Sequence, residues 1–91
     1  MDNRYLQNVI DEMQPFFTEN GFKEADGIYK NETKVVAVEY SDERQMYVLK
    51  TADIAADGSY EMTETSSWLF DDSQNAKDAE AVGMDFTSTL K

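Results

Sequence analysis

The stretch KVVAVEYSDERQMYVLKT, Lys34 to Thr51, decides how this chain folds. Val35 to Tyr40 and Met46 to Thr51 are rich in β-branched and aromatic residues, which suit a pleated surface. Ser41, Asp42, Glu43 and Arg44 between them are polar and turn-forming. The stretch therefore reads as an antiparallel hairpin. A turn centred on Asp42 and Glu43 pairs Tyr40 with Gln45, Val38 with Tyr47 and Val36 with Leu49, and directly opposed residues share a face. Val36, Val38, Tyr47 and Leu49 then form an apolar face. The other face carries Val35, Ala37, Glu39, Met46, Val48 and Lys50, a mixed set. The apolar face is the expected core face; a one-residue slip would reverse it for one strand.

Working outward, Leu6, Val9, Ile10, Met13, Phe16 and Phe17 recur at helical spacing. They predict an amphipathic helix from near Arg4, capped by Asp2 or Asn3. Pro15 lacks an amide donor and predicts a kink or break near Met13 and Gln14. Asn20-Gly21 is a stop signal, with Gly21 left-handed. Phe22 to Asp26 reads as a connector, with Phe22 tucked under the helix. Gly27 to Lys30 reads as a short strand, and a turn at Glu32-Thr33 sets Tyr29 opposite Val36.

On the other side, Asp57-Gly58 suits a two-residue turn. Tyr60 to Phe70 then alternates as a strand, with Leu49 opposite Ser66 and Tyr47 opposite Trp68. Trp68 is expected to be a buried core anchor, with Phe70 on the same face. Asp71, Asp72 and Ser73 can cap a second helix with the apolar stripe Ala76, Ala79, Val82, Phe86 and Leu90. Gly83 weakens that helix by about 1 kcal/mol relative to alanine. The expected fold is α+β: one domain over 1–91, a four-stranded antiparallel meander with an N-terminal and a C-terminal helix packed on one face. This order resembles that of small bacterial adaptor and chaperone-like domains that bind protein segments, a likeness of arrangement that carries over no residues.

The chemistry on offer is sparse. Cysteine and histidine are both absent, which removes the common nucleophile–base pairings. The glycines are isolated, so there is no phosphate loop. Close acid pairs such as Glu61/Glu64 and Asp71/Asp72 are expected by chance among nineteen acids in 91 residues. No catalytic, cofactor-binding or metal-binding residues are assigned, and the chain reads as non-enzymatic. Asp53 to Glu64, DIAADGSYEMTE, matches a calcium loop at Asp53, Asp57, Gly58 and Glu64. Ala55 stands where a ligand oxygen is needed, and the flanks read as strands, so a plain hairpin turn is the better reading. The aromatic residues have the spacing of a core rather than of a ligand pocket.

Eight Lys and Arg stand against nineteen Asp and Glu, a net of −11. Scattered cations cannot neutralise a phosphate track, which disfavours nucleic acid. The sequence shows no spanning apolar run and no basic-then-apolar leader, so a cytoplasmic location and no membrane partner are expected. The function expected is that of a non-enzymatic protein-interaction or adaptor-like domain, and a module of a larger protein would read the same way. The alternative is a small-molecule or weak cation-binding domain. The expected contact surface is the sheet face that two helices leave open: Val35, Ala37, Met46, Val48 and Leu69, rimmed by Lys30, Glu39, Lys50, Thr63 and Thr65. A homodimer through that face is the simplest partner arrangement.

A charge of −11 on a small domain is self-repelling, and salt screens it beyond about 8 to 10 Å. The melting temperature should rise from low to physiological salt, as followed by circular dichroism. A flat or falling trend would mean that local ion pairs outweigh the global repulsion.

Overall fold

The computed structural model describes residues 4–69 and 76–91, with side chains described over 6–69 and 79–91. The order is α1 (Arg4–Glu19), β1 (Lys23–Ala25), β2 (Ile28–Lys30), β3 (Lys34–Ser41), β4 (Met46–Asp53), β5 (Thr63–Leu69) and α2 (Ala76–Leu90). The strands form one antiparallel sheet in the order β1-β2-β3-β4-β5. The sheet thus has five strands, not four. The connector expected over Phe22 to Asp26 contains β1, which pairs with β2 through Glu24 opposite Tyr29. Asp26 and Gly27 between them both take positive φ, 54° and 84°. That is the backbone of a tight hairpin turn, and Asp-Gly is its strongest sequence signal.

α1 runs unbroken through Pro15, against the expected kink. Pro15 and Asp11, whose carbonyl loses its donor, are both exposed, so water can satisfy that carbonyl. The end of α1 is a Schellman motif. Phe22 N donates to Phe17 O at 2.9 Å and Gly21 N to Thr18 O at 3.3 Å, with Gly21 at φ 73°. The hydrophobic contact that accompanies this motif is present: the Phe22 and Phe17 rings meet edge-on, 5.6 Å apart. Asn31 ties this corner to the sheet. Its Oδ1 accepts from the amides of Thr33 and Lys34, and its Nδ2 donates to Asn20 O at 3.0 Å.

The core lies between the helices and one sheet face. Val9, Met13 and Phe17 of α1 and Ala79, Val82 and Phe86 of α2 are buried with Val36, Val38, Tyr47 and Leu49. Tyr29 stacks flat on Phe17, with centroids 4.2 Å apart. Tyr29 faces Val36, and Tyr47 faces Trp68, as the sequence predicts. The central hairpin differs by two residues: Val38 faces Leu49 and Tyr40 faces Tyr47. The loop is longer than the turn expected, because Gln45 takes φ 51° and Ser41 pairs with Met46. A shift of two keeps every side chain on its face, so the core face stands.

Trp68 is half-buried rather than buried, since β5 is an edge strand. Its indole N–H donates to Asp85 Oδ2 of α2 at 3.0 Å, which pins that helix to the edge. The caps expected at Asp2, Asn3 and Asp71 to Ser73, and the placement of Phe70, lie outside the described residues. The expected turn at Asp57-Gly58 sits inside a wider loop, 54–62, where Gly58 N donates to Ala55 O and Ala55 N to Ser59 O.

Gly83 has a role that helix propensity alone does not reveal. A Cβ built there would stand 2.5 Å from Glu12 Cβ and 3.1 Å from Val9 O of α1. The helices cross at this point, and only glycine fits. Alanine would gain about 1 kcal/mol of helix propensity but force the helices apart, and overpacking costs about 1–3 kcal/mol. Gly83→Ala should therefore lower stability in urea titration. An increase would show that the crossing opens without cost.

Candidate functional site

The second sheet face was expected to be an open apolar strip. Three of its five residues are instead buried within the chain: Val35 at 0%, Ala37 at 6% and Val48 at 3% exposure. Met46 is half-buried, and Leu69 stands out at 67%. Long charged side chains gather around Val48 at the middle of the strip.

Over the middle lies a row of alternating charge. Arg44 reaches back from the β3–β4 loop to Glu64 of β5, with Nη1 on Oε1 at 2.6 Å and Nη2 on Oε2 at 3.2 Å. Lys50 of β4 meets Glu39 of β3 at 3.1 Å. Arg44, Glu64, Lys50 and Glu39 line one shallow depression with Val48 beneath. Their aliphatic stems cover the valine while the charges stay wet. At the β2 side, Lys30 Nζ lies 5.4 Å from the Tyr60 ring centroid. Lys30 is paired with Val35, so this contact lies beside the β2 end of the strip.

A bulge makes the row possible. Leu49 faces Ser66, but Lys50 faces Glu64, leaving Thr65 as an extra residue. Glu64 therefore turns to the face of Lys50, opposite to Ser66 and Trp68. The uninterrupted alternation expected from Tyr60 to Phe70 is corrected here. Thr65 turns the other way, and its hydroxyl meets that of Thr51 at 2.7 Å, so it does not rim the second face. Val48 lies opposite Glu39 rather than Ala37, whereas Met46 lies opposite Leu69 as expected.

The hydrogen bonds from Arg44 hold the Glu64 carboxyl below the ordinary glutamate range, with the Arg44 and Lys50 charges adding to them against some desolvation. The same hydrogen bond, with the charge of Glu64, raises Arg44. Asp57, also in the segment resembling a calcium loop, is lowered by hydrogen bonds from the Ser59 hydroxyl at 2.6 Å and amide at 3.0 Å. Both carboxylates are thus engaged by the chain itself, Glu64 on the sheet and Asp57 within its own turn. The most exposed large apolar side chain on this side is Leu69, beside Met46 on β5, an edge strand that no other described strand pairs on its outer side; Tyr60 is exposed as well. No described helix is long and apolar enough to cross a membrane. Searches against protein-family models, curated proteins and solved structures give no match for the chain.

Because Glu64 is lowered in the folded state, its contribution to stability is complete above its unfolded pKa and is lost as pH falls through the folded one. Arg44→Ala should raise the Glu64 titration midpoint, followed by carboxyl-carbon NMR. The destabilisation that it causes at neutral pH should fade in acid. A midpoint that does not move would mean that the Arg44 contact is not populated in solution.

Proposed function

We propose that the chain is a non-enzymatic protein-interaction domain that meets its partner at the β5 margin of the sheet. The observation that carries this reading is a seven-residue edge strand that no other described strand pairs on its outer side, together with Leu69, a large apolar side chain 67% exposed at its end. An unpaired edge presents a row of backbone donors and acceptors, and a neighbouring apolar anchor adds affinity. The opposite edge, β1, is only three residues long and offers little to pair with. The interaction surface proposed here is narrower than the whole second face: it keeps Leu69 and Met46 and leaves Val35, Ala37 and Val48 as interior. Nucleic acid is an unsuitable partner for eight Lys and Arg among nineteen acids. The alternative of a small-molecule or weak cation-binding domain has less behind it, since Asp57 and Glu64 already accept from Ser59 and Arg44.

A photo-crosslinking amino acid at Leu69 should give protein adducts in the native host, whereas one at Glu24 on the β1 edge should not. No adduct at Leu69, or equal yields at both edges, would refute the reading.

A further inference from the structure

We infer that the partner at the β5 margin is an extended basic segment of another protein, one that alternates Lys or Arg with apolar residues and adds to the sheet beside Ser66 to Leu69. The inference rests on the interaction reading above and names the chemistry of its occupant. The charge of the chain is unevenly shared. Residues 51–91, which supply β5 and α2, hold nine Asp and Glu against two Lys, whereas 1–50 hold ten against six Lys and Arg. Glu61 precedes β5 in the chain, Asp71 and Asp72 follow it, and the Asp85 carboxylate of α2 lies on the Trp68 indole. Arg44, the cation that reaches this strand, is engaged by Glu64 through both Nη atoms. Neither described ion pair, Arg44–Glu64 or Lys50–Glu39, uses Asp85. The margin therefore attracts cations. The opposite edge does not: β1 carries Lys23 with Lys30 across from it, which repels a basic strand. Asp11 and Glu12 are acidic too, but they lie on α1, whose backbone groups are already paired within the helix and cannot take on a strand.

Two neighbouring residues of β5 set the alternation. Trp68 and Leu69 point to opposite faces of the sheet. A partner residue beside Trp68 falls on the α2 side, where a Lys or Arg meets the Asp85 carboxylate. The next partner residue falls on the other side, where an apolar side chain covers Leu69. Both positions follow the bulge at Thr65, so β5 is regular where the segment pairs. Backbone pairing serves any extended peptide, and the alternation of charge with apolar surface chooses among them.

The test is an amide NMR titration of the full chain with a short peptide alternating lysine and valine, against a threonine–valine peptide as the uncharged control. The lysine–valine peptide should shift Ser66 to Leu69 saturably, leave Glu24 unmoved and bind about tenfold or more tighter than the control. Asp85→Asn keeps an oxygen for the Trp68 indole and removes the charge. It should weaken the lysine–valine peptide about three- to tenfold and leave the control within about twofold. Equal binding of the two peptides at β5 overturns the basic occupant and leaves the edge reading standing. Lysine–valine shifts centred on Asp11 and Glu12 overturn the inference, because they show attraction to acids without strand addition. An affinity indifferent to Asp85→Asn overturns the pairing with Asp85 and with it the inference. No shift at β5 with either peptide overturns it too, and capture at Leu69 in the host then decides the interaction reading by itself.

Discussion

Two helices share one face of a small sheet, and they fit because they cross where α2 has no side chain. Gly83 brings α2 against Val9 O and Glu12 Cβ of α1. That proximity lets Val9, Met13 and Phe17 close over the same sheet face as Ala79, Val82 and Phe86. With a wider crossing, the two apolar helix faces could not both close over this small sheet. The remaining devices align these layers. The Schellman turn folds Phe22 back onto Phe17, and Asn31 ties the helix end to the β2–β3 turn. At the far edge, Trp68 and Asp85 hold α2 to β5.

The other face shows how a sheet that no described helix or strand covers can still bury valines. Arg44, Glu64, Lys50 and Glu39 alternate in sign across the strands, and their stems lie over Val48. Exposed ion pairs of this kind contribute little Coulomb energy. Their effect here is mostly steric, since extended aliphatic stems keep water from a small apolar strip. Acidic and basic side chains together also prevent this face from offering one large sticky patch. The apolar exposure that remains on this side is at Leu69 on the margin and at Tyr60 in the loop.

The bulge at Thr65 links fold to candidate site. Without it, Glu64 would sit on the face of Trp68, under or beside α2, and Arg44 would have no carboxylate to reach. With it, the edge strand loses its only net charge to an internal contact. The pairing of Glu64 with Arg44 thus follows from one extra residue in a strand.

Much of the architecture was decided by local chemistry that the sequence by itself displays. The α1 stripe, the Gly21 stop, the Tyr29–Val36 and Tyr47–Trp68 registers and the identity of the core face all follow from periodicity and turn residues, which act over a few positions. β1 was legible too, in the Asp26-Gly27 turn, but three residues are too few to show alternation. Tertiary structure alone decided the rest. The loop at Gln45 moved the central register by two, which pattern cannot detect because the faces are unchanged. The bulge at Thr65 breaks the period of two without any glycine to mark it. What surrounds the second face depends on where Arg44 and Tyr60 reach, across twenty residues to Glu64 in one case and thirty to Lys30 in the other. Gly83 looked like a weak point in a helix because propensity is local, while the reason for its presence is the backbone of another helix.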